Sequence, residues 1–255
     1  MKKLMLCLFA GTVIFACKEE KEKQTETTEA KEEVTMSTGA TTYDEGEWVV
    51  LFDGTSFDGW KGYRMDGVPD SWKLQDSAMV FDPPKNRPDG ESYNLVTDKE
   101  YTNFVLSLEW KIAEGGNSGV FWGVQEDEKY PQPYETGPEI QVLDNKRHPD
   151  AKNGLTHQAG ALYDMVAPDK DVTKPAGEWN TMVITVDQEA KRGSVELNGE
   201  QVTEFPVANE LWNVMVSKSK FADWEGFGKQ ATGKIGLQDH GDRVAYRNIK
   251  IKELK

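Results

Sequence analysis

The chain has 255 residues, with 30 Lys and Arg against 44 Asp and Glu and a formal net charge of −14. That balance repels phosphate backbones and no basic stripe interrupts it, so nucleic acid is not an expected partner. The only cysteines are Cys7 and Cys17, both near the N-terminus, so the fold must rest on core burial and not on disulfides.

Residues 1–16 read as a secretory signal. Lys2 and Lys3 precede an apolar run over 4–16 that is too short to span a bilayer as a permanent helix. Ala16 followed by Cys17 resembles a lipobox, which makes Cys17 the expected lipidation site and a lipid anchor the expected membrane contact. Residues 17–47 then form an acidic tether, with ten acids, four lysines and almost no large apolar side chain before Trp48. Such a stretch buries too little surface to offset its ordering entropy. Lys18-Glu19-Glu20 resembles the export tag of surface lipoproteins, although any charged spacer reads similarly. The expected product is a membrane-anchored lipoprotein, in the periplasm or on the outer-membrane surface. Residues 48–255 suffice for one core in a single domain.

Within that domain, short β-branched or alternating runs are punctuated by Gly, Pro, Asn and Asp. Strands are expected over 48–52, 104–112, 119–124, 140–143, 181–186, 194–197, 234–238 and 244–251, with a hairpin at Asn198-Gly199. Only 209–221 looks helical. The expectation is an all-β sandwich of two antiparallel sheets with one short helix.

Alternation separates the two faces of three strands. Phe104, Leu106, Leu108, Trp110 and Ile112 face a core, opposite Glu109 and Lys111. Ile140 and Val142 face in, opposite Glu139 and Gln141, and Ile235 and Leu237 face in, opposite Gln238 and His240. If these strands adjoin in one sheet, its outer face carries carboxylates, amides and an imidazole, which suits a polyhydroxylated ligand. Ordinary solvated surface also shows such alternation, Glu109 and Lys111 most of all. The glycine-rich turn 115–119 has no following Lys-Ser/Thr, so it is no phosphate loop. His157 lies in a polar, glycine-flanked stretch as His240 does, whereas His148 reads as solvated loop. Trp110, Trp122 and Trp179 fall in core registers. Tyr63, Tyr130, Tyr134 and Tyr163 lie in loops, either stacking on a sugar or packing locally.

Leu51-Phe52-Asp53-Gly54 with Asp58-Gly59-Trp60 resembles the opening of the 3-keto-disaccharide hydrolase domain family. The resemblance continues in order through 108–112, Gly116-Asn117-Ser118-Gly119-Val120-Phe121, Gly137-Pro138-Glu139-Ile140-Gln141-Val142-Leu143-Asp144, 159–164, 177–180, 193–199, Gly233 to Gly241, and 247–251. It implies a concanavalin A-like jelly roll with a carbohydrate site on its concave face. It also implies cleavage of glycosides already oxidised to a ketone at C3 by a separate sugar 3-dehydrogenase.

A C3 ketone acidifies the C2 hydrogen, so a base can form an enolate and expel the C1 substituent by β-elimination, with water adding back for net hydrolysis. His157 or Glu139 is the expected base, and Lys111 or a bound divalent cation is expected to steady the enolate. Asn117, Gln141, Gln238 and His240 are expected to hold hydroxyls or ligate the cation, with Glu139, His157 and His240 as its foremost ligands. Glu109 and Tyr134 complete the expected substrate contacts. Two rival expectations are a glycosidase acting on unoxidised sugar through Glu109 and Glu139, and a lectin-like binding module.

Overall fold

Alternating apolar and polar residues become β-strands throughout the computed structural model, which describes residues 46–88 and 90–255. The signal, the Cys17 lipidation site and nearly all of the tether lie outside the described residues. The strands are β1 (Val49–Phe52), β2 (Trp60–Gly62), β3 (Trp72–Gln75), β4 (Ala78–Phe81), β5 (Leu95–Tyr101), β6 (Phe104–Ile112), β7 (Asn117–Val124), β8 (Glu139–Leu143), β9 (Asn180–Asp187), β10 (Arg192–Leu197), β11 (Glu200–Pro206), β12 (Gly233–Leu237) and β13 (Val244–Glu253). One sheet runs β11-β10-β9-β6-β13-β4-β3, with β1 also paired to β13, and the other runs β2-β5-β12-β7-β8. Pairing is antiparallel throughout. The structure is the expected all-β jelly-roll sandwich.

The core lies between the sheets. Leu106, Leu108, Trp110 and Ile112 of β6 meet Val120 and Trp122 of β7, Ile140 and Val142 of β8, and Ile235 and Leu237 of β12 in one buried cluster. Burial of each such side chain contributes about 1.5–3 kcal/mol. Asn198 and Gly199, at φ 53° and 84°, make the tight turn between β10 and β11 that their side-chain chemistry permits. The helix α1 (Glu210–Ser217) is shorter than expected. It is capped by Asn209, whose side chain accepts the Trp212 N–H at 2.9 Å. Beyond it, the chain turns irregularly through residue 228.

Two sequence readings are corrected. β6 and β8 belong to different sheets, so Glu109 and Lys111 do not share a face with Glu139 and Gln141. Trp179 is not in the main core. It is half-buried on the outer side of the eight-stranded sheet against Ala78, Val80 and Ala245, between the Lys111 ammonium at 4.7 Å and the Arg247 guanidinium at 4.1 Å from its ring.

Candidate active site

The outer face of the five-stranded sheet is built from positions that alternate with its core residues. Gly119 pairs with Gln141 and Phe121 with Glu139 across β7 and β8. The Gln238 N–H donates to the Gly119 carbonyl at 2.9 Å on the β12 side. Gln238, Gly119 and Gln141 thus form a row across three strands. Gly119 has no side chain for a physical reason: a Cβ there would lie 2.6 Å from Cδ of the Glu139 carboxylate. The glycine is the seat on which that carboxylate rests.

Segment 159–163 continues the sheet beyond β8. The Gln141 N–H donates to the Ala161 carbonyl and the Tyr163 N–H to the Glu139 carbonyl, each at 3.0 Å, which brings Tyr163 beside Glu139. The irregular chain after α1 supplies the opposite wall. Phe221 and Phe227 stack at 3.9 Å, and Trp224 meets Phe221 edge-on at 5.0 Å and Tyr134 at 5.9 Å. Lys220 reaches over the Tyr163 ring, its ammonium 4.0 Å from the centroid, and its backbone N–H donates to Asp164 Oδ2 at 2.8 Å. The result is a cavity of about 260 Å³ whose lining includes Glu139, Gln141, Asn117, Gln238, His240 and Lys220. A polar floor facing an aromatic wall is the arrangement that takes a sugar ring, its hydroxyls on one side and its C–H face on the other.

Burial pushes the Glu139 carboxyl up to about 8, against smaller opposing effects of the Lys220 charge and a hydrogen bond from Gln238. Glu139 is only 8% exposed. His240 is exposed at the rim, yet the protein around its ring lowers its pKa by desolvation. The Asn117 side-chain amide lies 3.3 Å from His240 Nε2. Asn117 Oδ1 and Gln238 Oε1 are buried acceptors without a partner among the described residues. Such acceptors are costly unless a ligand donor meets them.

Of the residues singled out in the sequence, Glu139, Asn117, Gln141, Tyr134, Gln238 and His240 line this pocket. His157 does not. It stands behind Tyr163, with Nδ1 at 3.0 Å from Asp150 Oδ1 and Nε2 at 3.4 Å from Asp164 Oδ1. Tyr163 donates to the other Asp150 oxygen at 3.0 Å. Both ring nitrogens of His157 are thus turned to carboxylates, and the ring lies outside the pocket lining. Lys111 lies on the other sheet over Trp179. Glu109, also on that sheet, is held by Arg247 at 2.7 Å and Asn248 at 3.0 Å, which removes it as a partner carboxylate for Glu139. Lys111→Ala is therefore expected to change kcat/KM by less than about twofold, losing only an exposed cation–π contact of roughly 0.5–1 kcal/mol. A steady-state assay beside the wild type checks this.

Among the described residues no three His, Cys, Asp or Glu side chains are grouped to hold a metal ion, and His157 separates Asp150 from Asp164 instead of converging with them. Lys220, Tyr163, Phe221, Trp224 and Phe227 complete the pocket. None of them stands out in the sequence as a pocket residue, Tyr163 being one of several loop tyrosines. The available signal was the run of aromatics at 221, 224 and 227, broken by Gly226 and Gly228, outside any strand register.

Known proteins agree with this architecture. A curated 3-keto-disaccharide hydrolase of Bacteroides thetaiotaomicron is 33% identical over 286 aligned residues, covering 98% of this chain and 97% of that one. A candidate glycosyl hydrolase of Parabacteroides distasonis superposes with a TM-score of 0.73 at 33% identity, over 82% of this chain and 94% of the other. A second from the same organism gives 0.60 at 28% identity, over 82% and 100%. Fold, pocket and relatives together define a glycoside-cleaving enzyme built on a β-sandwich. Residues 47–252 match the 3-keto-alpha-glucoside-1,2-lyase-like domain, and the chain belongs to that family.

Proposed function

We propose that the protein cleaves 3-keto-glycosides, 3-keto-disaccharides among them, by removing the C2 proton and eliminating the C1 substituent. The observation that carries this reading is Glu139: a buried carboxyl near pKa 8, seated on Gly119 inside a pocket of amides and aromatic rings. A carboxylate made this basic is matched to a carbon acid far better than an exposed one. The name of the Bacteroides relative supports the same substrate class.

In this mechanism ionised Glu139 takes the C2 hydrogen, and the electron pair moves onto the C3 oxygen as an enolate. The Lys220 ammonium steadies that oxygen, the role first sought in Lys111. The enolate then reforms the C3 carbonyl and a C1–C2 double bond forms as the C1–O bond breaks. The His240 imidazole donates a hydrogen bond to the departing oxygen, which takes a proton from solvent. Water adding at C1, with return of a proton to C2, completes hydrolysis; release of the enone before that step makes the enzyme a lyase. Gln141, Asn117 and Gln238 hold ring hydroxyls, and Trp224 and Tyr134 cover a ring face.

A sugar 3-dehydrogenase must act first, because the ketone is what makes C2–H acidic. Cys17 lipidation, in the periplasm or on the outer-membrane surface, belongs to the same proposal. The test is incubation of residues 46–255 with a disaccharide and with its 3-keto form. Release from the keto form alone is expected. Equal release from both favours a glycosidase, and binding of either without turnover favours a lectin.

A further inference from the structure

A second cavity of about 310 Å³ adjoins the Glu139 pocket, and Tyr134, Gln238 and His240 line both. The two linings differ in chemistry. The first has a wall of Phe221, Trp224 and Phe227. The second has Tyr134 as its only phenyl- or indole-type ring among the described residues, together with Arg87, Glu91, Asn94, Gln132 and the His240 imidazole. Arg87 is fixed there: Nη2 lies 3.1 Å from Asp239 Oδ2, and Nε donates to the Glu91 carbonyl at 3.0 Å. Asp239 is itself buried and also accepts the Tyr93 N–H. A guanidinium with five N–H donors keeps some for a ligand after these bonds, and its preset position lowers the ordering cost of using them. Between the cavities lies Gln238, whose buried Oε1 lacks a partner among the described residues.

We infer that the second cavity is the leaving-group subsite and that it selects a hydroxyl-rich sugar over an aromatic aglycone. The inference rests on the proposed function for its orientation: the ring losing its C2 proton sits over Glu139, so the C1 substituent must extend past Gln238 and His240 into the adjoining space. Hydrogen-bonding groups around nearly the whole lining satisfy a ring that carries hydroxyls around most of its edge. A flat apolar ring would leave those groups desolvated and unpaired, which disfavours it.

The test compares a 3-keto-disaccharide with a 3-keto-glucoside bearing a 4-nitrophenyl leaving group, in wild type, Arg87→Met and Gln132→Ala. For the disaccharide, kcat/KM is expected to fall about 10–30-fold in Arg87→Met and about 5-fold in Gln132→Ala, the range for lost charged and neutral hydrogen bonds. For the nitrophenyl substrate both variants should stay within about threefold of wild type. Equal losses on the two substrates, or none on either, overturn the subsite. Should wild type cleave neither keto substrate, the proposed function fails and calorimetric titration with free glucose decides the subsite separately. Glucose binding by wild type that both variants lose upholds it. Binding unchanged in the variants, or no binding by wild type, overturns it.

Discussion

Glu139→Gln is expected to lower turnover of a 3-keto-disaccharide by about 10²–10⁴-fold and, in the same protein, to raise stability above neutral pH. Both effects come from one burial. Only the ionised carboxylate can accept the C2 proton, so wild-type kcat/KM should climb with pH through about 8. For stability the sign is opposite. Below the usual carboxyl value of 4.5, folded and unfolded chains are both protonated at this position. As pH rises from there towards 8 the unfolded chain releases the proton and the folded chain holds it, so wild type loses stability, with the loss complete above 8. The gap between 4.5 and about 8 corresponds to at most about 5 kcal/mol. Glutamine does not titrate and escapes the loss. Urea unfolding at pH 5 and pH 9 checks this: the wild-type curve should move to lower urea relative to the variant, whereas parallel curves would remove burial as the cause.

Lys220→Met should reduce kcat/KM by about 10²-fold, the effect of losing one donor at a developing oxyanion. It should also move the rise in the pH profile to more alkaline values, because the Lys220 charge now pulls the Glu139 pKa down. The two readouts separate roles. A rate loss with no pH displacement assigns Lys220 to the substrate alone. A displacement with full rate at high pH assigns it to tuning Glu139 alone. Methionine keeps the apolar stem against Tyr163 and Phe221, so packing changes little.

Much of the site was legible in sequence because β8 alternates cleanly. Ile140 and Val142 point into the core, so Glu139 and Gln141 must point out. The same logic placed Gln238 beyond Leu237. It failed for Glu109 and Lys111 because alternation tells which face of a strand is polar and says nothing of which sheet the strand joins. β6 pairs with β9 and β13, never with β7 or β8. The four strands β2 to β5 went unread for related reasons. β4 is buried on both sides as Ala78-Met79-Val80-Phe81 and shows no alternation, and β5 passes through the exposed run Asp98-Lys99-Glu100. Lys220 and the aromatic wall lie where the chain has no period at all. Phe221, Trp224 and Phe227 pack on one another and Trp224 reaches the distant Tyr134, so the run of aromatics marks the wall in sequence without saying which site it closes.

The pocket is made of two kinds of backbone. Glu139, Gln141 and Asn117 stand on hydrogen-bonded strands, whereas Tyr134, Lys220, Trp224 and His240 are carried by connecting segments. Strand-borne groups cannot shift without disturbing the whole ladder, while loops accept insertion and exchange at little cost to the scaffold. Diversification should therefore fall unevenly: the Glu139 carboxylate, the base of the proposed mechanism, stays anchored as the surrounding loops are rewritten. A lineage could in this way change the glycosides it consumes many times over and still inherit the same proton-transfer step.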